Sequence, residues 1–192
     1  MSLIFKKPTL DDKDSTLKFA QAYLSYYNET GIHGGAELAR FDEANFDKWL
    51  DYVNAPVGTN LFGYDKVADD TFIIYQDNQV VGIVNIRYEL NEFLLKIGDH
   101  IGYSTHPAFQ GQGIAKNALA FGLSVLKDKQ IDKALITCDD KNIGSSKVIE
   151  SNGGILENIL PLNDKMVRRY WIIYQPNLKT GTKTVRPELV EG

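Results

Sequence analysis

The 192-residue sequence predicts one α/β domain, of the mixed α+β kind, with helices packed on a sheet. Three observations predict it. Apolar residues recur at spacings of three and four in two early segments, which is typical of amphipathic helices. Short β-branched and aromatic runs are joined by turn residues, which indicates hairpins. In the middle of the chain strands alternate with helices, which favours a parallel strand pair connected through a helix.

The domain is expected to span residues 1–175, followed by a polar tail at residues 176–192. A hydrophobic share of 43% with 24% charged residues is ordinary for a globular protein. After Pro176 the composition turns to lysine, threonine and glycine, so the tail has no apolar face to bury.

The first half of the chain predicts two helices and a hairpin. The first helix runs from Asp11 to Asn28 and is expected to end at the glycines 31, 34 and 35. The second begins at Asp42 and ends before Pro56. After a loop at 57–70, strands 71–75 and 80–86 are joined by Asp77-Asn78, which is good hairpin chemistry. Their near-continuous apolarity predicts burial on both faces.

The second half predicts a strand and helix alternation followed by a hairpin. A strand is expected at Asp99–Thr105, a helix at Gln112–Lys129, a strand at Ala134–Cys138 and a helix at Ser145–Asn152. The segments 155–160 and 166–174, joined across the turn 161–164, are expected to form the closing hairpin.

Charge and composition limit the class of partner. The 21 basic and 25 acidic residues give a net charge of -4, without the basic excess of a general nucleic-acid binder, although a local basic patch is compatible with it. No apolar run approaches the roughly 20 residues that span a bilayer, and no signal peptide is evident, so no membrane partner and a cytoplasmic location are expected. Three histidines and the single Cys138 have no metal-ligand spacing, so no metal is expected.

The segment Thr105-His106-Pro107-Ala108-Phe109-Gln110-Gly111-Gln112-Gly113-Ile114-Ala115 places two glycines between a strand and a helix. The first turn of a helix has unpartnered N–H groups and the positive end of the helix dipole, and glycine lets an anion approach the backbone. A diphosphate is the natural ligand. The alternative, that Gly111 and Gly113 only shape a tight turn, stays open.

Two other phosphate-binding patterns fit less well. The P-loop pattern G-x-x-x-x-G-K-[ST] is absent. The dinucleotide pattern G-x-G-x-x-G begins at Gly111 and Gly113, but Lys116 occupies its third position, where the helix should press on the sheet. Asp132 would then be the ribose ligand. A nucleotide-dependent enzyme is therefore a minor alternative.

The pattern Q/R-x-x-G-x-G/A is matched by Gln110, Gly113 and Ala115, and it resembles the coenzyme A pyrophosphate loop of the GNAT N-acetyltransferase superfamily. The segment from Asn142 to Gly154 is similar to the second motif of that family, N-x-x-[AS]-x-x-x-x-E-x-x-G. The order of elements over roughly residues 3–174 resembles the family too. Three segments, at 81–87, 98–103 and 169–172, resemble a bacterial subgroup of predicted acetyltransferases.

The resemblance implies a GNAT-like fold, with a mixed, mostly antiparallel sheet, a central splayed parallel strand pair and helices on both faces. It implies acetyl-CoA as co-substrate, paired as an added strand along the first strand of the splayed pair. The implied coenzyme-binding residues are Tyr103, Ser104, Thr105, Gln110, Gly111, Gln112, Gly113, Ile114, Ala115, Asn142 and Ser145. Asn142 or Ser145 can equally serve as a cap of the following helix, which does not exclude coenzyme contact.

The resemblance further implies transfer of an acetyl group to a primary amine of a small molecule or peptide, by direct attack in a ternary complex. Asp99 and His100 are the candidates for the base, and strand alternation is expected to place them on opposite faces. Either can instead be a strand-end polar group bonded to backbone. The tyrosine that protonates the departing thiolate in many relatives is replaced by Ile149 here. Either Tyr103 or a water is the acid, or the thiolate leaves unassisted, which its pKa of ~8.5 allows.

Two other residues have weaker functional interpretations. Cys138 is a candidate acyl-carrying nucleophile, although a small buried strand residue is the more common role. His33, in a glycine-rich loop, is a candidate acceptor ligand or an ordinary exposed histidine. Because the usual acid is missing, a non-catalytic acyl-CoA-binding module is the alternative function. Beside the amine acceptor, a homodimer is the other expected association.

Overall fold

The computed structural model describes residues 2–173. The strands are β1 (Ile4–Lys6), β2 (Asp69–Gln76), β3 (Gln79–Arg87), β4 (Ile101–Thr105), β5 (Lys133–Asp139), β6 (Ile155–Leu162) and β7 (Lys165–Ile173). The α-helices are α1 (Lys13–Tyr27), α2 (Phe46–Val53), α3 (Glu92–Ile97), α4 (Ile114–Asp128) and α5 (Ile143–Ser151). The tail predicted at 176–192 lies outside the described residues.

Every predicted helix and strand is present, but several bounds differ. Helix α1 ends at Tyr27 and is capped by Asn28, which adopts the left-handed conformation (φ 52°), so the helix does not reach the glycines that follow. Helix α2 begins at Phe46, after a turn in which the Asn45 side chain accepts the Asp42 N–H (2.7 Å). Strand β4 begins at Ile101, so Asp99 precedes the strand. The alternation of side chains along a strand therefore does not place Asp99 and His100 on opposite faces. Strand β1 and helix α3 were not predicted.

The strands form two antiparallel sheets, one of four strands in the order β1-β2-β3-β4 and one of three in the order β5-β7-β6. The β2–β3 turn uses Asp77 and Asn78, both with positive φ (49° and 62°). Two successive residues with positive φ are what a tight primed turn requires, and Asn and Asp tolerate that conformation best. The hairpin prediction is confirmed.

Helices cover both faces of the first sheet, and each face has its own core. On one face α1 and α2 bury Phe19, Phe46 and Trp49 against Ile83 of β3. On the other face α4 and α5 pack their apolar residues against Val84 and the second sheet. Neighbouring positions of β3 therefore belong to opposite cores, which confirms the predicted burial of this strand on both faces.

Strands β4 and β5 are the splayed central pair. They are joined where the His100 N–H donates to the Leu135 carbonyl (2.8 Å). Strand β5 pairs with β7 along its length, through partners such as Leu135 and Trp171, and among residues 2–173 β4 has a regular ladder with β3 alone. The parallel pair therefore has no regular ladder, and an opening lies between β4 and β5.

Candidate active site

The open edge of β4 follows from its register with β3. Bonds from Arg87 N to His100 O (2.7 Å) and from His106 N to Val81 O (2.8 Å) flank the ladder. In an antiparallel pair the hydrogen-bonded positions alternate, so the main chains of Gly102 and Ser104 point to β3. Those of Tyr103 and Thr105 point toward the opening and can bond an extended ligand.

Ser104 therefore differs from the expectation that its main chain faces the coenzyme. Its main chain lies in the ladder with Ile83, and its hydroxyl donates to the His33 carbonyl (2.8 Å). Thr105 differs in another way, because its Oγ1 is buried without a hydrogen-bond partner among the described residues. Buried hydroxyls are normally paired, so this atom marks a place where a polar partner is missing.

The loop between β4 and α4 forms a cradle of N–H groups. Gly111 (φ 73°) and Gly113 (φ 79°) both adopt the left-handed conformation that other residues avoid. A Cβ at Gly111 would meet no atom within 4 Å, so the backbone there faces open space. The first N–H groups of α4 have no partner within the helix and carry the positive end of its dipole. The cradle suits an anion of diphosphate size.

The remaining loop residues contribute in different ways. Gln112 is exposed, whereas Ile114 is only 2% exposed and packs in the core, so it offers its N–H group and not its side chain. Ala115 is half-buried in the first turn of α4. The Gln110 amide donates to the Tyr27 hydroxyl, which ties the loop to the end of α1. No local sequence pattern indicates that contact.

Asn142 and Ser145 open α5 opposite the edge of β4. The Asn142 Oδ1 accepts the Ser145 N–H (2.9 Å), so Asn142 is the N-cap of α5. A helix cap was the alternative role predicted for Asn142 or Ser145. The Ser145 hydroxyl lies 3.2 Å from the Tyr103 hydroxyl. The two hydroxyls therefore meet across the opening between the sheets.

Burial keeps the Tyr103 phenol and the Cys138 thiol at this opening protonated. Burial raises the pKa of the Tyr103 phenol well above its ordinary value. Burial likewise raises the pKa of the Cys138 thiol, to about 11, although Arg168 and Ser145 act in the opposite direction. At neutral pH the Tyr103 phenol is therefore a hydrogen-bond donor. Cys138 is a thiol, whereas the nucleophilic form of cysteine is the thiolate.

Asp99 lies at the base of the opening in an ion pair. Its Oδ1 accepts from Arg87 Nη1 (2.8 Å), and its Oδ2 lies 3.4 Å from Thr137 Oγ1. Arg87 and Thr137 were not predicted, because no local pattern indicates that β3 and β5 meet at this point. Asp99 keeps one oxygen with only a long contact.

His100 is the other predicted base, and it is 8% exposed. Its Nδ1 accepts the Leu135 N–H (3.0 Å), which places the proton of the neutral ring on Nε2. Burial lowers the pKa of His100, while Asp99 opposes this shift.

The loop that carries His33 packs closely against β4 at Gly102. A Cβ at Gly34 (φ 74°) would lie 2.1 Å from the Gly102 carbonyl oxygen, so only glycine allows this approach. A cavity of about 530 Å³ opens beside the loop, lined by Glu29, Thr30, Gly31, Ile32, His33, Glu37, Ala39 and Arg40. The cavity is the candidate site for a second substrate.

Residues 2–173 contain no group of three histidine, cysteine or acidic side chains that could hold a metal ion. Within the same range, no helix is both long and apolar enough to cross a membrane.

Comparisons with known proteins agree with this architecture. A family model described as an acetyltransferase (GNAT) domain matches residues 2–155. No curated protein sequence matches the chain significantly.

Solved structures have a similar fold. RimJ of Mycobacterium smegmatis in complex with CoA-disulfide has a TM-score of 0.67 at 18% identity, over 89% of this chain and 81% of that chain. The microcin C7 self-immunity acetyltransferase MccE, in complex with acetyl-CoA and AMP, has a TM-score of 0.64 at 16% identity, over 89% and 92%. A ribosomal-protein-S5-alanine acetyltransferase from Vibrio fischeri has a TM-score of 0.62 at 13% identity, over 90% and 93%.

Proposed function

Because the chain belongs to the GNAT acetyltransferase family, we propose that it transfers an acetyl group from acetyl-CoA to a primary amine of a small molecule or peptide. The observation that carries the proposal is the opening between β4 and β5, with an N–H cradle at its end. The relatives MccE and RimJ were solved with coenzyme A derivatives, which supports the choice of donor.

The coenzyme lies along the open edge of β4. Its pantetheine amides bond the main-chain groups of Tyr103 and Thr105, as an added strand would. Its pyrophosphate takes the N–H groups from Gly111 to Ala115, where no Cβ intervenes at the glycines. Asn142 and Ser145 border the pantetheine arm from the start of α5.

The acceptor amine enters from the cavity beside the His33 loop, on the other face of β4. Two carboxylates, Glu29 and Glu37, line this cavity. Glu37 already accepts from Arg40 Nε (2.5 Å) and from the Tyr64 hydroxyl, whereas no hydrogen bond or ion pair of the Glu29 carboxylate occurs among the described residues. An acidic lining attracts the ammonium form in which an amine arrives.

Three proton movements accompany the attack. An ammonium with a pKa of ~10.4 must lose a proton before its nitrogen can attack the thioester carbon. We assign this proton to Asp99, directly or through water, because its Oδ2 has only the long contact to Thr137. The C–N bond forms, the C–S bond breaks, and the sulfur takes up the Tyr103 proton. The nitrogen loses its second proton as the amide forms, and this proton passes through water to the Tyr103 oxygen and restores the phenol.

Direct attack in a ternary complex is favoured over an acyl-enzyme. The raised pKa of Cys138 leaves little thiolate at neutral pH, and no imidazole among the described residues is bonded to its sulfur. A thioester is activated toward amines, so positioning of the two substrates supplies much of the rate.

One observation favours a second candidate function, a non-catalytic acyl-CoA-binding module. Ile149, at the position of the usual acid, is fully buried in the core and offers no hydroxyl. A binding module would keep the cradle at Gly111 and Gly113 but would not turn over.

Release of free thiol separates the two functions. The chain is incubated with acetyl-CoA and a panel of amines and aminoacyl compounds, and coenzyme A is measured with a thiol reagent. The enzyme releases thiol in proportion to one or more amines. Binding of acetyl-CoA without release on any amine supports the binding module. The homodimer and the cytoplasmic location stay predictions.

A further inference from the structure

His100 is bonded to both strands that flank β4. Its carbonyl accepts the Arg87 N–H of β3 (2.7 Å), and its N–H donates to the Leu135 carbonyl of β5 (2.8 Å). Its imidazole Nδ1 then accepts the Leu135 N–H (3.0 Å). The N–H and the carbonyl of Leu135 are therefore both hydrogen-bonded to His100. Leu135 is fully buried, so water does not compete for these bonds.

This joint lies at the base of the opening. On one side β5 continues into its ladder with β7, and on the other β4 continues into its ladder with β3. The Thr137 hydroxyl of β5 donates to Asp99 over a longer distance (3.4 Å), and the Tyr103 and Ser145 hydroxyls, 3.2 Å apart, connect β4 to α5. Among the described residues the His100 joint is thus the tightest connection between the two edges.

We propose that His100 is a positioning residue, whose neutral imidazole holds the Leu135 N–H and so sets the opening in which the coenzyme binds. The inference rests on the proposed function, because it assumes coenzyme in that opening. It also assigns the base. A neutral imidazole has one acceptor nitrogen, and in His100 the Leu135 N–H occupies it. His100 has no lone pair left for the amine's proton, so this task belongs to Asp99.

The joint is sensitive to acid. Protonation would place a hydrogen on Nδ1 facing the Leu135 N–H, and two donors repel. The charged groups that act on His100 are Asp99, which favours the protonated ring, and Arg87 and Lys133, which oppose it. Burial opposes protonation more strongly and lowers the pKa of His100. The unfolded chain therefore binds this proton more readily, and stability falls as the pH drops below about 6.5.

Three variants at this position test the role. In His100→Asn the amide oxygen occupies about the place of Nδ1 and can accept the Leu135 N–H, but it does not titrate. In His100→Gln the amide reaches further, and His100→Leu has no acceptor. Coenzyme A affinity is measured by calorimetry from about pH 8 to pH 5, beside thermal unfolding and thiol release.

The expected results separate the variants. At pH 7.5 His100→Asn binds coenzyme A within about threefold of wild type, while His100→Leu and His100→Gln bind roughly tenfold or more weakly, since a buried donor is left unpaired. Toward pH 5 wild type loses more affinity than His100→Asn, whose remaining decline comes from protonation of the coenzyme's own phosphate. Where His100→Leu fails to fold, the pH profile of His100→Asn decides.

Two outcomes would overturn the inference alone. One is a His100→Asn variant with wild-type coenzyme affinity but turnover lowered about 100-fold, because the imidazole would then be the base. The other is an acid decline in His100→Asn equal to that of wild type. A folded wild-type chain that binds no coenzyme A at any pH would instead overturn the proposed function.

Discussion

The hydroxyl oxygens of Tyr103 and Ser145 lie 3.2 Å apart and connect β4 to the first turn of α5. Ser145 stands four residues before Ile149, so the two share one face of the helix. Ile149, which the family resemblance aligns with an acid tyrosine, is buried in the core. The phenol that the helix lacks therefore reaches the same helix face from the neighbouring strand.

The Tyr103→Phe variant tests whether the Tyr103 phenol acts as the acid. Because a thiol with a pKa of ~8.5 leaves readily as the thiolate, we expect turnover to fall about 100-fold, the lower end for general acid catalysis. Coenzyme A affinity should stay near wild type. Since burial raises the pKa of Tyr103, the phenol is protonated throughout an ordinary assay, and the loss should be similar from pH 6 to pH 9. Thiol release measures it, and Ser145→Ala is the matched variant with a smaller expected loss.

The sequence predicted the elements whose signal is local. Helix α1, the β2–β3 hairpin and the cradle at Gly111 and Gly113 each depend on neighbouring residues, through periodicity, turn chemistry or a glycine that needs positive φ. Strand β1 and helix α3 were missed because they are short. Helix α3 also owes part of its placement to a distant residue, since Arg169 donates to its Leu95 carbonyl (2.6 Å).

Contacts between distant elements could not be predicted from the sequence. The ion pair of Arg87 with Asp99 and the bond from Leu135 to His100 join residues whose separation carries no pattern. Strand alternation predicted opposite faces for Asp99 and His100, yet the strand begins only at Ile101. The family resemblance named the coenzyme loop, whereas the partners of the candidate bases required the structure.

Acetyl-CoA and coenzyme A should raise the melting temperature in a dose-dependent way. At 100 times its dissociation constant a ligand adds about 2.7 kcal/mol, which corresponds to roughly 5–10 °C for a domain of this size. NAD and ATP should shift it much less, because the loop lacks the third glycine and the lysine-containing pattern that those ligands use. An equal response to all three compounds, measured by thermal shift, would contradict the coenzyme assignment.

Gly113→Val should abolish coenzyme binding while the fold remains. The branched side chain would project into the cradle, where the nearest atom to a Cβ is Asn117 Nδ2 at 3.6 Å. It would also strain the backbone, since φ is 79°. Gly58→Val is the matched control, because Gly58 has a similar φ of 84° and an open environment in the loop before β2. Calorimetry should show normal binding for that control and for Gln112→Ala. Normal binding by Gly113→Val would place the anion elsewhere.

Asp99→Asn should lower turnover about 100-fold or more at neutral pH, the usual size of a general-base contribution, and leave coenzyme affinity unchanged. The amide oxygen of Asn can still accept from Arg87, so the contact at the base of the opening survives. The rate of the variant should rise with pH, because a growing fraction of an amine with a pKa near ~10.4 arrives deprotonated and needs no base. Thr137→Val is the control, since it removes only the 3.4 Å contact to Asp99 Oδ2 and should change the rate little. Full turnover by Asp99→Asn on a confirmed substrate would exclude this carboxylate and leave a water chain, or an acceptor bound as the free amine, as the route for the proton.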